Sequence, residues 1–241
     1  MKILSVETSS EVCSVAILEN KNIIKELNIE NGNTHSQNLM PLISELLSNT
    51  NLTLNDINLF ACDNGPGSFT GIRIGIATLK AFRDVTLKPI IGISSLKSLA
   101  YNIENTSNDI ICSIIDAKNN NVYYGLLTNT NNIINKIDNY SFDNINSLLN
   151  YLKTEKFFNK KIFFVGNGSI VYKDVIQSEL NKQAIFCKNI TDNKLNSVSI
   201  GKAAFDKFSN SNTNCFTDIT PLYLKKSSAE LSLEEKNKWI Y

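Results

Sequence analysis

His35 is the only histidine among 241 residues. Any hydrolytic apparatus of the Ser/His/Asp or Cys/His kind would therefore have to use it as the base. Four positions on stands Leu39, so two imidazoles cannot grip one ion from a shared helix face. No helical cluster of Asp and Glu suggests a carboxylate-only metal site either. We read His35 as capping or lining the start of a helix at an interface.

The stretch Asp63-Asn64-Gly65-Pro66-Gly67-Ser68-Phe69-Thr70-Gly71-Ile72-Arg73-Ile74-Gly75 carries the second candidate chemistry. Gly65, Pro66 and Gly67 make a tight turn with free backbone N–H groups, and Ser68 sits where an N-cap belongs. A helix starting there could cradle an anion. Gly71 and Gly75 lie four apart on one helix face, each costing about 1 kcal/mol relative to alanine. That loss is tolerable if it permits close helix contact, at an interface or against the sheet. Arg73 points elsewhere, either to a partner carboxylate in bidentate fashion or to solvent. No G-x-x-x-x-G-K-[ST] loop is present.

The elements that position these residues follow from periodicity. Residues 3–7, 12–18 and 22–28 read as successive strands by β-branched content and short turns. Over 36–47, Leu39, Leu42, Ile43 and Leu46 recur at helical spacing. A strand at 57–62 enters the glycine turn, and the helix leaving it ends near 82–83. A strand at 89–93 and a helix capped by Ser94-Ser95 follow, then a polar linker at 104–108.

The second half repeats the order, with strands at 110–115, 121–127 and 133–137 and a helix at 145–152. A strand at 161–165 then leads into Gly166-Asn167-Gly168-Ser169, with a helix to about Leu180 and a strand near 184–187. Glu7-Thr8-Ser9-Ser10 is matched by Asp116-Ala117-Lys118, and the first glycine turn by the second. The expectation is a duplicated α/β protein. Residues 1–104 form a first lobe and 105–195 a second. Residues 196–241 supply a helix (198–208) crossing back onto the first lobe and, over 221–241, a charged, loosely held tail in which Trp239 packs on a surface groove.

Composition narrows the function. The formal net charge is +1, so independent tight binding of nucleic acid is not expected. Lys80, Arg83, Lys88 and Lys97 read as solvated faces, and Lys225-Lys226 as a weak nucleic-acid contact once a complex forms. The five cysteines form no C-x-x-C pair, which fits a cytoplasmic location. No apolar run is long enough to span a membrane.

Several of these segments together resemble the bacterial TsaB (YeaZ) family. They are residues 3–14 (Ile3-Leu4-Ser5-Val6-Glu7-Thr8-Ser9-Ser10-Glu11-Val12-Cys13-Ser14), His35-Ser36-Gln37-Asn38-Leu39-Met40-Pro41-Leu42, the GPGSFTGIRIG stretch, Ile115-Asp116-Ala117-Lys118, Val122-Tyr123-Tyr124-Gly125 and Pro221-Leu222-Tyr223-Leu224-Lys225. The resemblance implies a duplicated actin/hexokinase-like (ASKHA) fold of two related lobes. It also implies a non-catalytic subunit of the machinery that installs threonylcarbamoyl on N6 of adenosine 37 in tRNA. There TsaD is the catalytic paralogue, TsaE an ATPase, and TsaC (or its relative Sua5) makes the threonylcarbamoyl-adenylate. Pairing in that family, with TsaD or with a second copy, runs through first-lobe helices. The matching interface positions are His35, Leu39, Leu42, Ile43, Leu46, Gly71, Arg73 and Gly75.

In actin-like kinases an acidic residue and a hydroxyl-rich hairpin hold Mg²⁺-phosphate, and a glycine turn faces the adenosine. Glu7, Thr8, Ser9, Ser10, Asp116, Gly166 and Gly168 occupy those places. Glu7 stands where aspartate is usual, and Ala117-Lys118 replaces a Gly-hydroxyl pair. The expectation is that these turns satisfy their own backbone and hold no cofactor. The alternative is a weak ATP-binding or phosphotransfer enzyme.

Overall fold

The computed structural model describes residues 1–30, 34–103, 109–211 and 216–225. The 104–108 linker, Cys215, Lys226 and Trp239 fall outside them. The chain begins with strands β1 (Lys2–Glu7), β2 (Cys13–Glu19) and β3 (Asn22–Ile29) and helix α1 (His35–Thr50). There follow β4 (Leu59–Asp63), α2 (Phe69–Thr86), β5 (Ile90–Ile93) and α3 (Ser95–Ala100). The first sheet runs β3-β2-β1-β4-β5, with β1–β3 antiparallel and β4 and β5 parallel to β1.

The second half supplies β6 (Ile110–Asp116), β7 (Asn121–Thr130), β8 (Ile133–Lys136), β9 (Ser141–Asn144) and α4 (Ile145–Leu152). Then come β10 (Ile162–Val165), α5 (Asn167–Val171), α6 (Lys173–Leu180), β11 (Ala184–Phe186) and α7 (Ser197–Ser209). Its sheet reads β8-β7-β6-β10-β11, with β9 beside β7. The order and strand directions reproduce the first sheet. Both glycine turns also adopt the same left-handed backbone, with φ +106° at Gly65 and at Gly166, where a side chain would be strained.

Alternation along β1 decides what covers each face. Leu4 and Val6 join the cluster built by Leu39, Ile43, Leu46, Ile72 and Leu79 of α1 and α2. Ile3 faces the other way, with Ile200, Ala203 and Ala204 of α7. The second sheet is covered on one side by α4 and α6. On its other side Leu99 and Ala100 of α3 pack on Ile111, Leu127 and Val165, so α3 lies at the join of the two halves.

Three expectations are corrected. Backbone at Tyr172 (φ −104°) breaks the expected helix to Leu180 into α5 and α6. Strand β9 lies between the expected strand at 133–137 and helix at 145–152, where no element was expected. The leading part of the tail is held rather than loose. Ile90 N–H donates to Phe216 O, Leu222 N–H donates to Asn64 O, and Ile219 is buried in the first-lobe core.

Candidate functional site: a self-satisfied cleft and an outer helix face

A cavity of about 630 Å³ separates the matched turns, with Ser9, Ser10 and Gly67 on one side and Asp116, Lys118 and Asn167 on the other. Each turn spends its polar groups on itself. Glu7 is fully buried. Its Oε1 accepts from Ser9 N–H (2.7 Å), Ser9 Oγ–H (2.8 Å) and Ser10 N–H (3.0 Å), and its Oε2 from Ser10 Oγ–H (2.9 Å). The amides and hydroxyls that would grip a phosphate thus already bind a carboxylate. Burial raises the Glu7 pKa, and the bonds from Ser9 and Ser10 work against that rise.

The second acidic turn is closed in the same way. Asp116 accepts from Lys118 N–H and Tyr172 Oη–H and pairs with Lys118 Nζ at 2.9 Å. Burial would raise Asp116, but Lys118 and Tyr172 outweigh it and hold the carboxyl below the usual range. At the second glycine turn, Gly166 N–H and Ser169 Oγ–H both donate to Asn193 Oδ1. A Cβ at Gly166 would stand 2.2 Å from Ile114 O, and one at Gly168 2.9 Å from Ile114 Cγ1. Among the described residues no group of three or more His, Cys, Asp and Glu is placed to hold a metal ion.

The cleft's walls are otherwise largely apolar, with Leu99, Ile115, Tyr123, Ile170 and Leu195. Such a cavity has room for a small ligand.

His35 opens α1, half-buried, with Nε2 2.8 Å from Ser10 O. A carbonyl only accepts, so Nε2 donates to it, while Nδ1 is buried with no partner. The imidazole ties the start of α1 to the Glu7 turn. Ser68 caps α2 by accepting from Gly71 N–H at 3.2 Å, and its own N–H donates to Ser9 O.

The interface expected from sequence is redrawn. Leu39, Leu42, Ile43 and Leu46 are at most 3% exposed because α1 lies on the sheet, so this stripe is core. Gly71 and Gly75 are buried against the protein's own β1–β2 turn. A Cβ at Gly71 would stand 1.8 Å from Thr8 O, and one at Gly75 2.6 Å from Thr8 Oγ1. The close approach is real, but it is the sheet's end that approaches. Arg73 is engaged within the chain: its guanidinium lies 3.9 Å over the Phe69 ring, and its Nε–H donates to Tyr223 Oη. Tyr223 in turn stacks on Phe69.

The opposite side of α2 is open. Phe69, Arg73, Ala77, Ala81 and Val85 succeed one another at four-residue steps and are all exposed, with Val85 at 84%. Met40 of α1 stands half-exposed (50%) on the neighbouring helix. Small residues in the middle of such a line let a second helix approach closely. The four-residue spacing is a signal present in the sequence, on the face of the helix opposite the glycines. Asp63 carries no such signal. It is buried, accepting from Gly65 N–H and Ser95 Oγ–H, and nothing in its neighbours announces that burial.

Two lobes of one topology, facing across a cleft flanked by matched acidic and glycine turns, define the actin/hexokinase-like class. ROK hexokinase from Thermus thermophilus shares that fold at TM-score 0.51 and 7% identity, covering 88% of this chain and 100% of that one. YeaZ from Pseudomonas aeruginosa superposes at TM-score 0.77 and 20% identity, covering 92% and 99%. The family profile described as TsaD, tRNA N6-adenosine threonylcarbamoyltransferase, matches residues 28–233. The TsaB of Buchnera aphidicola subsp. Schizaphis graminum is 34% identical over 171 residues, 69% of this chain and 78% of that protein. The TsaB of Haemophilus influenzae is 37% identical over 129 residues, 52% of each chain, so the chain spans about half of that relative's length. The chain belongs to the TsaB family.

Proposed function

We propose that this protein is a non-catalytic subunit in tRNA threonylcarbamoyladenosine biosynthesis that docks a TsaD-like catalytic paralogue through the outer face of α1 and α2. The observation that carries this reading is the exposed line Phe69–Arg73–Ala77–Ala81–Val85, set against turns whose polar groups are already paired. In this account a TsaE-like ATPase and a TsaC/Sua5-like enzyme supply the rest of the pathway. The protein meets tRNA only through the complex, in the cytoplasm, and a second copy competes for the same face. The lobe at residues 1–104 carries the docking surface. Among the described residues no helix is long and apolar enough to cross a membrane. Size-exclusion chromatography with a TsaD-like protein tests the reading: co-elution supports it, and independent elution at micromolar concentrations overturns it.

A second reading, weak ATP binding or phosphotransfer, rests on the cavity between the matched turns. Isothermal titration with ATP and Mg²⁺ separates the two. The expected result is no heat of binding, with Asp116→Ala indistinguishable from the parent. Micromolar affinity that Asp116→Ala removes would favour the enzyme.

A further inference from the structure

One side chain holds the place where the chain crosses back from its second half to its first. Asn102 follows α3 at the end of the first half, and residues 192–199 lead out of the second half into α7. The Asn102 amide faces that returning segment. Its Nδ2–H groups donate to Asp192 O (2.7 Å) and Lys194 O (2.9 Å). Its Oδ1 accepts from Asn196 Nδ2–H (3.0 Å) and from Ser199 Oγ–H. Carbonyls only accept, which fixes the orientation of the amide, and four bonds fill its hydrogen-bonding capacity.

The residues that Asn102 holds are tied in turn to opposite halves. Between its two carbonyl partners, Asn193 Oδ1 accepts from Gly166 N–H and Ser169 Oγ–H of the second glycine turn. Leu195 is buried among Leu99, Ala100 and Val165. Asn196 caps α7 by accepting from Ser199 N–H (2.8 Å). Ser197 N–H then donates to Ser14 Oγ of β2 (3.0 Å). Asn193, Lys194 and Leu195 also line the cleft, so a change in its width has to move them. Hinge closure around a ligand is absorbed by a few residues at the ends of elements. Here those residues are bonded on both sides.

We propose that Asn102 is a pin that locks the two lobes at one angle, so that the cleft keeps a single width. Rotation of one lobe against the other pulls residues 192–194 away from 196–199. The one amide bridging them then loses bonds on one side or the other. Each bond is modest alone, but rotation strains all four together. Lys194 Nζ also meets Glu30 at 2.8 Å across the halves, an exposed pair that adds little. A block of fixed shape presents the outer face of α2 in one orientation relative to the second lobe.

Residual dipolar couplings of backbone amides in the full chain read the lobe angle directly. The unmodified chain is expected to fit one alignment tensor across both sheets. Asn102→Ala removes all four bonds and is expected to need two tensors. Asn102→Asp, which loses only the donors to Asp192 O and Lys194 O, is expected to do the same. Lys194→Met cuts the exposed pair alone and should still fit one. Two tensors in the unmodified chain overturn the pin, as does a single tensor in a folded Asn102 variant. Two tensors in Lys194→Met overturn it as well, by moving the lock to the ion pair. No partner or ligand enters these measurements, so they succeed or fail separately from the docking function proposed above.

Discussion

Gly71→Ala is expected to destabilise the isolated chain by about 3 kcal/mol or more, enough to lower Tm by roughly 6–12 °C for a protein of this size. The added Cβ would stand 1.8 Å from the Thr8 carbonyl oxygen. That oxygen is backbone, and its residue is fixed both by the closed Glu7 turn and by the Thr8 hydroxyl's bond to Gly71 O, so it has no easy way to retreat. Gly75→Ala is the internal control. Its Cβ meets the Thr8 hydroxyl at 2.6 Å, a side-chain atom that can shift at the cost of its bond to Gly71 O while the backbone stays in place, and alanine returns about 1 kcal/mol of helix propensity. A much smaller loss is expected there, measured by chemical denaturation of both variants. If Gly71→Ala instead folded normally and lost only a partner, the glycine face would belong to an interface after all.

The second large effect concerns docking. Ala77→Glu places a carboxylate at the middle of the exposed line on α2, at a position open to solvent in the monomer. In a complex built on that face the charge is buried without a partner, at a cost on the order of 3 kcal/mol, or about 100-fold in Kd. The monomer's denaturation midpoint should not move. Titration calorimetry with the TsaD-like protein reads the affinity. Unchanged affinity in Ala77→Glu would remove α2 from the docking surface.

Much of the fold was legible because local periodicity and burial agree. The Leu39–Leu46 stripe marked α1, and the paired turns marked the duplication, down to the shared backbone at Gly65 and Gly166. What periodicity cannot carry is the identity of the neighbour. Two glycines four apart announce a close approach, but Thr8 precedes Gly71 by 63 residues, and no local pattern names it. The same gap hid the strap at 216–225, whose contacts with Asn64, Phe69 and Ile90 are all distant in sequence. β9 is four residues, Ser-Phe-Asp-Asn, too short and polar to alternate visibly.

At the site, residue types alone do not name their partners. Glu7, Ser9 and Ser10 look the same in sequence whether they hold a phosphate or one another. Only the distances distinguish a loaded cradle from a closed one. Arg73 offered two destinations, a partner carboxylate or solvent, and took a third through an aromatic residue 150 positions later.

The central claim is that the outer face of α2 acts and the cleft does not. Threonylcarbamoyl transfer to tRNA by a reconstituted mixture of this protein with TsaD-, TsaE- and TsaC-like partners tests it most directly, comparing Ala77→Glu with the double variant Asp116→Ala/Lys118→Ala. The account expects the cleft variant to support full modification and Ala77→Glu to support almost none. Full modification with Ala77→Glu, or its loss in the cleft variant while the complex still assembles, would contradict it.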